Sequence, residues 1–229
     1  MSTEEQTVEE TIVENKSIQS ISEFLDNNKN NVLIAGIALI LIAGGIWYYT
    51  NSYKPAMETE ANESIFMAER YFAQDSLDRA LNGDGINLGM RDVADEYGST
   101  SAGNRAAFYT GKILLQKGQF EEALDYFGDV SMDDEIMAAQ VITLQGDCYS
   151  EMEQYEKAGD TYMKAANKRD NDLSTPYALL KAGMAYEEAN EYSDAKKAYE
   201  RLEADYSDNR IAEKVEARIA RVEAKLSAE

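Results

Sequence analysis

A pattern of small and aromatic residues recurs three times in the sequence, with a period of about 35 residues, and this repetition constrains the fold more than any other feature. Aligning Gly111, Gly146 and Gly183 brings several other columns into register. These columns are Ala123, Ala158 and Ala195; Phe120, Tyr155 and Tyr192; Phe127, Tyr162 and Tyr199; and the smaller column of Leu114, Tyr149 and Tyr186.

Each repeat contains two helical patterns separated by a polar turn. A glycine on the first helix would let the second helix approach closely, and aromatic residues of the second helix would fill the space between successive pairs. One pair cannot bury its own apolar face, whereas stacked pairs can. The sequence therefore predicts an all-α solenoid, packed through the glycine, alanine and aromatic columns.

Two helix starts support this register. Ser174, Thr175 and Pro176 predict a capped start with proline in the first turn, and Ser131 with Asp134 has the spacing of a capping box.

Weaker helical patterns flank the repeats. Before them, VADEYGST resembles LEADYSDN, which predicts an eroded helix pair with a first helix over roughly 58–74 and a loop or short turn over 75–85. The second helix of that pair is expected to include Ile86, Met90 and Val93. After the repeats, an apolar stripe opposite charged residues predicts a capping helix. The stripe consists of Ile211, Val215, Ile219, Val222 and Leu226.

The segment NNVLIAGIALILIAGGIWYYTNSYK, residues 30–54, is apolar in an otherwise acidic chain. It has no Asp, Glu, Lys or Arg before its last residue, and a helix over 32–49 would be about 27 Å long, close to one hydrocarbon core. The residues expected at the membrane interface are Trp47, Tyr48, Tyr49 and Lys54.

Three interpretations of this segment compete. A buried core helix is disfavoured because nothing else in the chain is apolar enough to surround it. A cleaved signal peptide is disfavoured because a long acidic stretch precedes the segment and no small-x-small site follows it. An uncleaved single-pass anchor is favoured. Lys16 and Lys29 before the span roughly balance Lys54 and Arg70 after it, so charge hardly decides the orientation, although a short arm before a long domain suits a cytoplasmic arm.

The N-terminal arm divides in two. Residues 1–16 are expected to be disordered, as a solvated acidic tail or a docking tail. Within 17–29, Ile18, Ile21, Phe24 and Leu25 share a helical face that would lie in the membrane interface or pack on a partner. The asparagines at 27, 28, 30 and 31 predict a break before the span.

Composition argues against several functions. The chain has 43 Asp and Glu against 22 Lys and Arg, a net charge of -21, which disfavours a nucleic-acid partner and an anionic lipid surface. It has no histidine, no P-loop, no G-x-S-x-G and no cysteine pair, so we predict no enzyme, no cofactor and no metal site. The single Cys148 is interpreted as a packing residue rather than a nucleophile.

The repeated columns resemble the tetratricopeptide repeat, with three units over 104–209. The resemblance implies a protein-binding groove along the first helices. Its register gives as groove candidates Arg105, Phe108, Lys112 and Leu115; Gln140, Thr143, Asp147 and Ser150; and Tyr177, Leu180, Met184 and Glu187. This set lacks the regular Lys, Asn and Arg clamp of co-chaperones that grip acidic tails. Its apolar members favour an apolar partner segment or another subunit, or alternatively pack between repeats.

The whole layout resembles the bacterial ancillary SecYEG translocon subunit (YfgM-like) family. In full, it is an acidic arm (1–16), an amphipathic segment (17–29), a transmembrane helix (31–53), a degenerate pair (54–103), repeats (104–209) and a capping helix (210–229). The resemblance implies an inner-membrane anchor, a cytoplasmic N-terminus, a periplasmic repeat domain, and the SecYEG channel and a PpiD-like chaperone as partners. The alternative is a scaffold of another envelope machine, in cell division, cell-wall synthesis or outer-membrane assembly.

Overall fold

The computed structural model describes residue 25, residues 27–131 and residues 135–228. The predictions for residues 1–16, for Ile18, Ile21 and Phe24, and for Asp134 of the capping box therefore lie outside the described residues. The chain divides into two compact units, Met1–Ala56 and Met57–Glu229.

The first unit contains helix α1, Lys29–Tyr48, followed by a π-helical turn, Tyr49–Tyr53. The helix starts before the predicted span: the amide of Val32 donates to the carbonyl of Asn28, so Asn30 and Asn31 lie in its first turn rather than in a break. Its large side chains are exposed, with Ile40 at 72%. The helix is long and apolar enough to cross a membrane.

The second unit starts within α2, Lys54–Ala73, and continues with the short helices α3, Leu77–Asn82, and α4, Met90–Tyr97. Helix α2 buries Ala61, Ile65 and Ala68. The stretch predicted as a loop or short turn thus contains a helix of its own.

Ile86 is not part of the second flanking helix, contrary to the sequence prediction. The carboxylate of Asp84 accepts hydrogen bonds from the Ile86 amide at 2.9 Å and the Asn87 amide at 2.7 Å, which fixes a turn. These bonds hold the pKa of Asp84 well below its usual range. Ile86 is 92% exposed at this turn, and the helix begins only at Met90.

Three helix pairs follow. The first helices are α5, Ser101–Gln116; α7, Glu135–Glu151; and α9, Thr175–Glu188. The second helices are α6, Phe120–Asp129; α8, Tyr155–Lys168; and α10, Tyr192–Asp205. Consecutive helices pack against each other along the unit, as expected for a solenoid.

The helix starts use caps that the sequence only partly reveals. Pro176 lies in the first turn of α9, but the Ser174 side chain makes no capping bond. Instead, Asn171 Oδ1 accepts from the amides of Leu173 at 2.9 Å and Ser174 at 2.8 Å. At α5, Thr100 Oγ1 accepts from the Gly103 amide at 2.9 Å.

The unit ends in a short 3₁₀ turn, Ala212–Lys214, and helix α11, Val215–Leu226. Val215 and Val222 are 2% and 0% exposed, and Ile211, Ile219 and Leu226 pack partly buried against the same core. Every described element of regular structure is a helix, so the predicted all-α fold with an N-terminal apolar helix, stacked helix pairs and a capping helix is confirmed.

Candidate functional site

The repeated glycines hold the two helices of each pair together. An ideal Cβ on Gly146 would lie 2.5 Å from Tyr162 Cε1, one on Gly111 would lie 2.7 Å from Phe127 Cε1, and one on Gly183 would lie 2.3 Å from Tyr199 Cε1. No side chain fits there, so the ring of the second helix lies directly on the backbone of the first. Ala123, Ala158 and Ala195 are all 0% exposed between the helices.

A fourth contact of the same kind joins successive pairs and escaped the sequence comparison. A Cβ on Gly159, in α8, would lie 2.6 Å from Tyr186 Cδ1, in α9. The sequence alignment places Tyr186 in an aromatic column. The glycine opposite it occurs in one repeat only, so it forms no column of its own.

Two of these buried rings donate hydrogen bonds to carboxylates on the first helices. The Tyr162 hydroxyl donates to Asp147 at 2.6 Å, and the Tyr199 hydroxyl donates to Glu187 at 2.6 Å. Burial, together with the neighbouring carboxylate, raises the pKa of both tyrosines. Phe127 has no hydroxyl, so the first pair lacks this bond.

Each of these carboxylates also binds a cation on the helix that follows its pair. Lys181 Nζ lies 2.6 Å from Asp147 Oδ1 and 5.5 Å from the centroid of the Tyr162 ring. Arg221 of α11 binds Glu187 through Nε at 2.8 Å and Nη2 at 2.6 Å. Burial alone would raise the pKa of Glu187, but the bonds from Arg221 and Tyr199 outweigh it, so the pKa is lowered.

The sequence contains a spacing that indicates these cations, although the sequence prediction did not use it. Asp147 and Lys181 are 34 positions apart, and Glu187 and Arg221 are also 34 positions apart. One repeat period therefore separates each carboxylate from its partner.

The first helices line an open groove of about 580 Å³. Its walls bring together four predicted groove residues, Leu115, Asp147, Ser150 and Met184. The structure adds Gln116, Gly118, Phe120, Glu151, Tyr162 and Lys181. The lining is mixed, with apolar side chains beside two carboxylates and an ammonium group.

Three of the four predicted residues of the first pair lie against α2 or in the core, and only Leu115 lines the groove. Arg105 Nε lies 3.3 Å from Glu69, and Lys112 Nζ lies 5.7 Å from the Phe72 ring and 5.4 Å from the Phe108 ring. Phe108 itself is only 7% exposed and belongs to the core. These three positions thus pack between helices instead of lining the open groove.

The predicted residues of the third pair form a stripe along α9. Tyr177 is 53% exposed and Met184 is 43% exposed, whereas Leu180 is partly buried against the core. Leu173, 70% exposed, lies one turn before Tyr177. In the second pair, Gln140 is exposed and the Thr143 hydroxyl donates to the Ala139 carbonyl at 2.9 Å.

The predicted membrane-interface residues belong to the first unit, and Cys148 belongs to the second. Trp47, Tyr48 and Tyr49 are 65%, 59% and 41% exposed at the end of α1 and the start of the π-helical turn, and Lys54 is exposed. Cys148 is 0% exposed, and burial beside Asp147 raises its pKa to about 12, so it stays a thiol at neutral pH.

Comparison with protein families identifies two of the helix pairs. Residues 139–167 and residues 177–209 each match the tetratricopeptide repeat family. These two segments are therefore similar to tetratricopeptide repeats. They correspond to α7 with α8 and to α9 with α10 and the turn that follows. Stacked tetratricopeptide repeats form a protein-interaction fold that is generally non-catalytic. No curated protein sequence matches the chain significantly.

Proposed function

We propose that this chain is a membrane-anchored, non-catalytic scaffold that binds other proteins through the groove of its tetratricopeptide repeats. The observation that carries the proposal is the open groove of about 580 Å³ along the first helices, in a chain that also has one helix suited to cross a membrane. A solenoid presents such an extended surface to partners, and the anchor would restrict those partners to one face of the membrane.

The proposed location rests on the resemblance of the sequence layout to the bacterial ancillary SecYEG translocon subunit family. We place the anchor in a bacterial inner membrane, with the N-terminus in the cytoplasm and the repeats in the periplasm. There the groove would lie near emerging secretory chains, with the SecYEG channel and a PpiD-like chaperone as partners. The alternative is a scaffold of another envelope machine, such as cell division, cell-wall synthesis or outer-membrane assembly, because anchored repeats suit both.

Photocrosslinking in intact membranes tests the scaffold. A photoreactive residue at Ser150, which lines the groove, is expected to give protein adducts, whereas one at the exposed Glu156 of a second helix is the matched control. Equal adducts at both positions would show that the groove is not the binding surface. Adducts at neither would refute the scaffold function.

Two further experiments test the finer assignments. A reporter that works only in the periplasm should be active when it is fused to the C-terminus. If a reporter that works only in the cytoplasm is active there instead, the proposed orientation is reversed. Co-purification in mild detergent should recover the SecYEG channel and a PpiD-like chaperone. Recovery of division or cell-wall proteins without the channel would instead establish the alternative scaffold.

A further inference from the structure

The C-terminal end of this acidic protein carries a concentration of positive charge. In a chain of net charge -21, residues 210–226 contain three glutamates but five basic side chains. They are Arg210, Lys214, Arg218, Arg221 and Lys225. The last four follow the spacing of one helical face, so they form a basic stripe.

The basic stripe faces the groove side of the last repeat. Arg221 binds Glu187, and Arg218 Nη1 lies 3.9 Å from the same carboxylate. Glu187 lies one turn beyond Met184 on α9. The stripe on α11 therefore borders the exposed stripe of α9 that contains Tyr177 and Met184.

One carboxylate does not neutralise this stripe. Glu187 already has two short bonds from Arg221 and one from Tyr199, which leaves Arg218 with a 3.9 Å contact to that carboxylate. Arg218 also donates to the Tyr199 hydroxyl at 3.5 Å, and its guanidinium carbon lies 5.8 Å from the centroid of the Tyr199 ring. The Lys214 ammonium is exposed and forms no ion pair with any residue from 27 to 131 or 135 to 228. Arg221 thus pairs closely with Glu187, whereas Arg218 is only loosely paired with a carboxylate and Lys214 has no ion-pair partner in the described chain.

We propose that this corner binds an acidic, apolar peptide segment of a partner protein. A carboxylate of the segment would contact Lys214 and Arg218, and an apolar side chain beside it would pack on Met184 and Tyr177. Charge complementarity selects this occupant over a basic peptide. Anionic lipid would also match the stripe, but an extended membrane surface would face the -21 charge of the whole chain, whereas a short peptide meets mainly the charges within about 8 Å of it. The proposal rests on the scaffold function and names the partner chemistry of one end of the groove.

Peptide binding to the full chain in neutral detergent micelles tests the proposal. The probes are the fluorescein-labelled peptides EDLLDFLEDL and KKLLKFLKKL, which share their apolar positions and differ only in charge. Fluorescence anisotropy, corrected with protein-free micelles, is expected to show micromolar binding of the acidic peptide and much weaker binding of the basic one. Equal or tighter binding of the basic peptide would overturn the proposal.

Variants locate the binding site. Lys214→Glu is expected to weaken binding of the acidic peptide about fivefold, and combining it with Arg218→Gln about tenfold or more. Lys164→Glu, an exposed lysine on α8, is the matched control and should change binding less than about twofold. Lys214 has no ion-pair partner in the described chain. Lys214→Glu alone therefore tests the site, even if Arg218→Gln disturbs the contact between Arg218 and Tyr199. Unchanged binding by Lys214→Glu would place the peptide elsewhere.

Two further results separate the competing explanations. The first is a test of lipid binding, in which the chain is embedded in nanodiscs and mixed with phosphatidylglycerol vesicles. If the chain binds the vesicles, Lys214→Glu abolishes that binding and the acidic peptide does not bind, then the stripe binds lipid and the proposal is overturned. If the peptide fails but Ser150 still crosslinks to proteins in membranes, the scaffold function stands and only this partner assignment falls.

Discussion

Gly146→Ala tests whether the close contact between a glycine backbone and an aromatic ring holds the two helices of a pair together. The added Cβ would lie 2.5 Å from Tyr162 Cε1 and 2.6 Å from Cδ1, about 1 Å inside ordinary contact. The ring cannot move away freely. Its hydroxyl donates to Asp147 at 2.6 Å, and Lys181 Nζ lies 5.5 Å from its centroid.

Two opposing effects set the magnitude. Alanine is a better helix former than glycine by about 1 kcal/mol, which stabilises the variant. Overpacking at the ring costs about 1–3 kcal/mol, and loss of the tyrosine hydrogen bond adds about 1 kcal/mol. The net is a destabilisation of about 1–3 kcal/mol, or a fall in Tm of about 2–10 °C for a domain of this size.

Thermal unfolding of the full chain in detergent, followed by far-ultraviolet circular dichroism, measures this difference. Gly128→Ala is the matched control, because Gly128 also lies in a helix but its Cβ would meet nothing within 4 Å. The control should melt at the wild-type temperature or slightly above it. If Gly146→Ala does the same, the argument that the pair depends on a missing Cβ is wrong.

Three further predictions concern the buried polar network. Tyr162→Phe should lower the free energy of unfolding by about 1 kcal/mol in denaturant titrations, because Asp147 loses one of its donors; no change would mean that Lys181 alone satisfies it. The lowered pKa of Glu187 makes its contribution to stability present above about pH 4 and lost as pH falls through the folded-state pKa. Wild-type Tm should therefore drop more steeply in acid than that of Glu187→Gln, and parallel curves would contradict this. Cys148 should react with a thiol reagent only after denaturant unfolds the chain, and rapid labelling of the native protein would disprove its burial.

The sequence predicted the helix pairs because their packing leaves a recurring trace. A glycine opposite an aromatic ring is needed in each pair, and Gly111, Gly146 and Gly183 repeat with the period of the fold. Gly159 meets Tyr186 for the same physical reason. It was missed because a contact that occurs once makes no column.

Side-chain placement near the first pair was less predictable. Phe108 and Lys112 have the register of groove residues, yet α2 lies against them and supplies Phe72 to the same aromatic cluster. The position of Ile86 depended on turn chemistry at Asp84, which overrode an apolar spacing that suited a helix. A neighbouring helix decided the first case and a local turn decided the second, and both overrode the helical pattern of the sequence.

The register that stacks the helices also determines how the groove is charged. Lys112, Asp147, Met184 and Arg218 occupy equivalent positions on α5, α7, α9 and α11. The Lys112 ammonium lies over aromatic rings, and Asp147 is paired with Lys181. At the C-terminal end of the series, Met184 is exposed, and Arg218 lies over the Tyr199 ring with only a 3.9 Å contact to Glu187. In the proposed complex an apolar side chain lies on Met184 and a carboxylate on Arg218, so the order of these two residues in the partner would set the direction in which it lies along the groove.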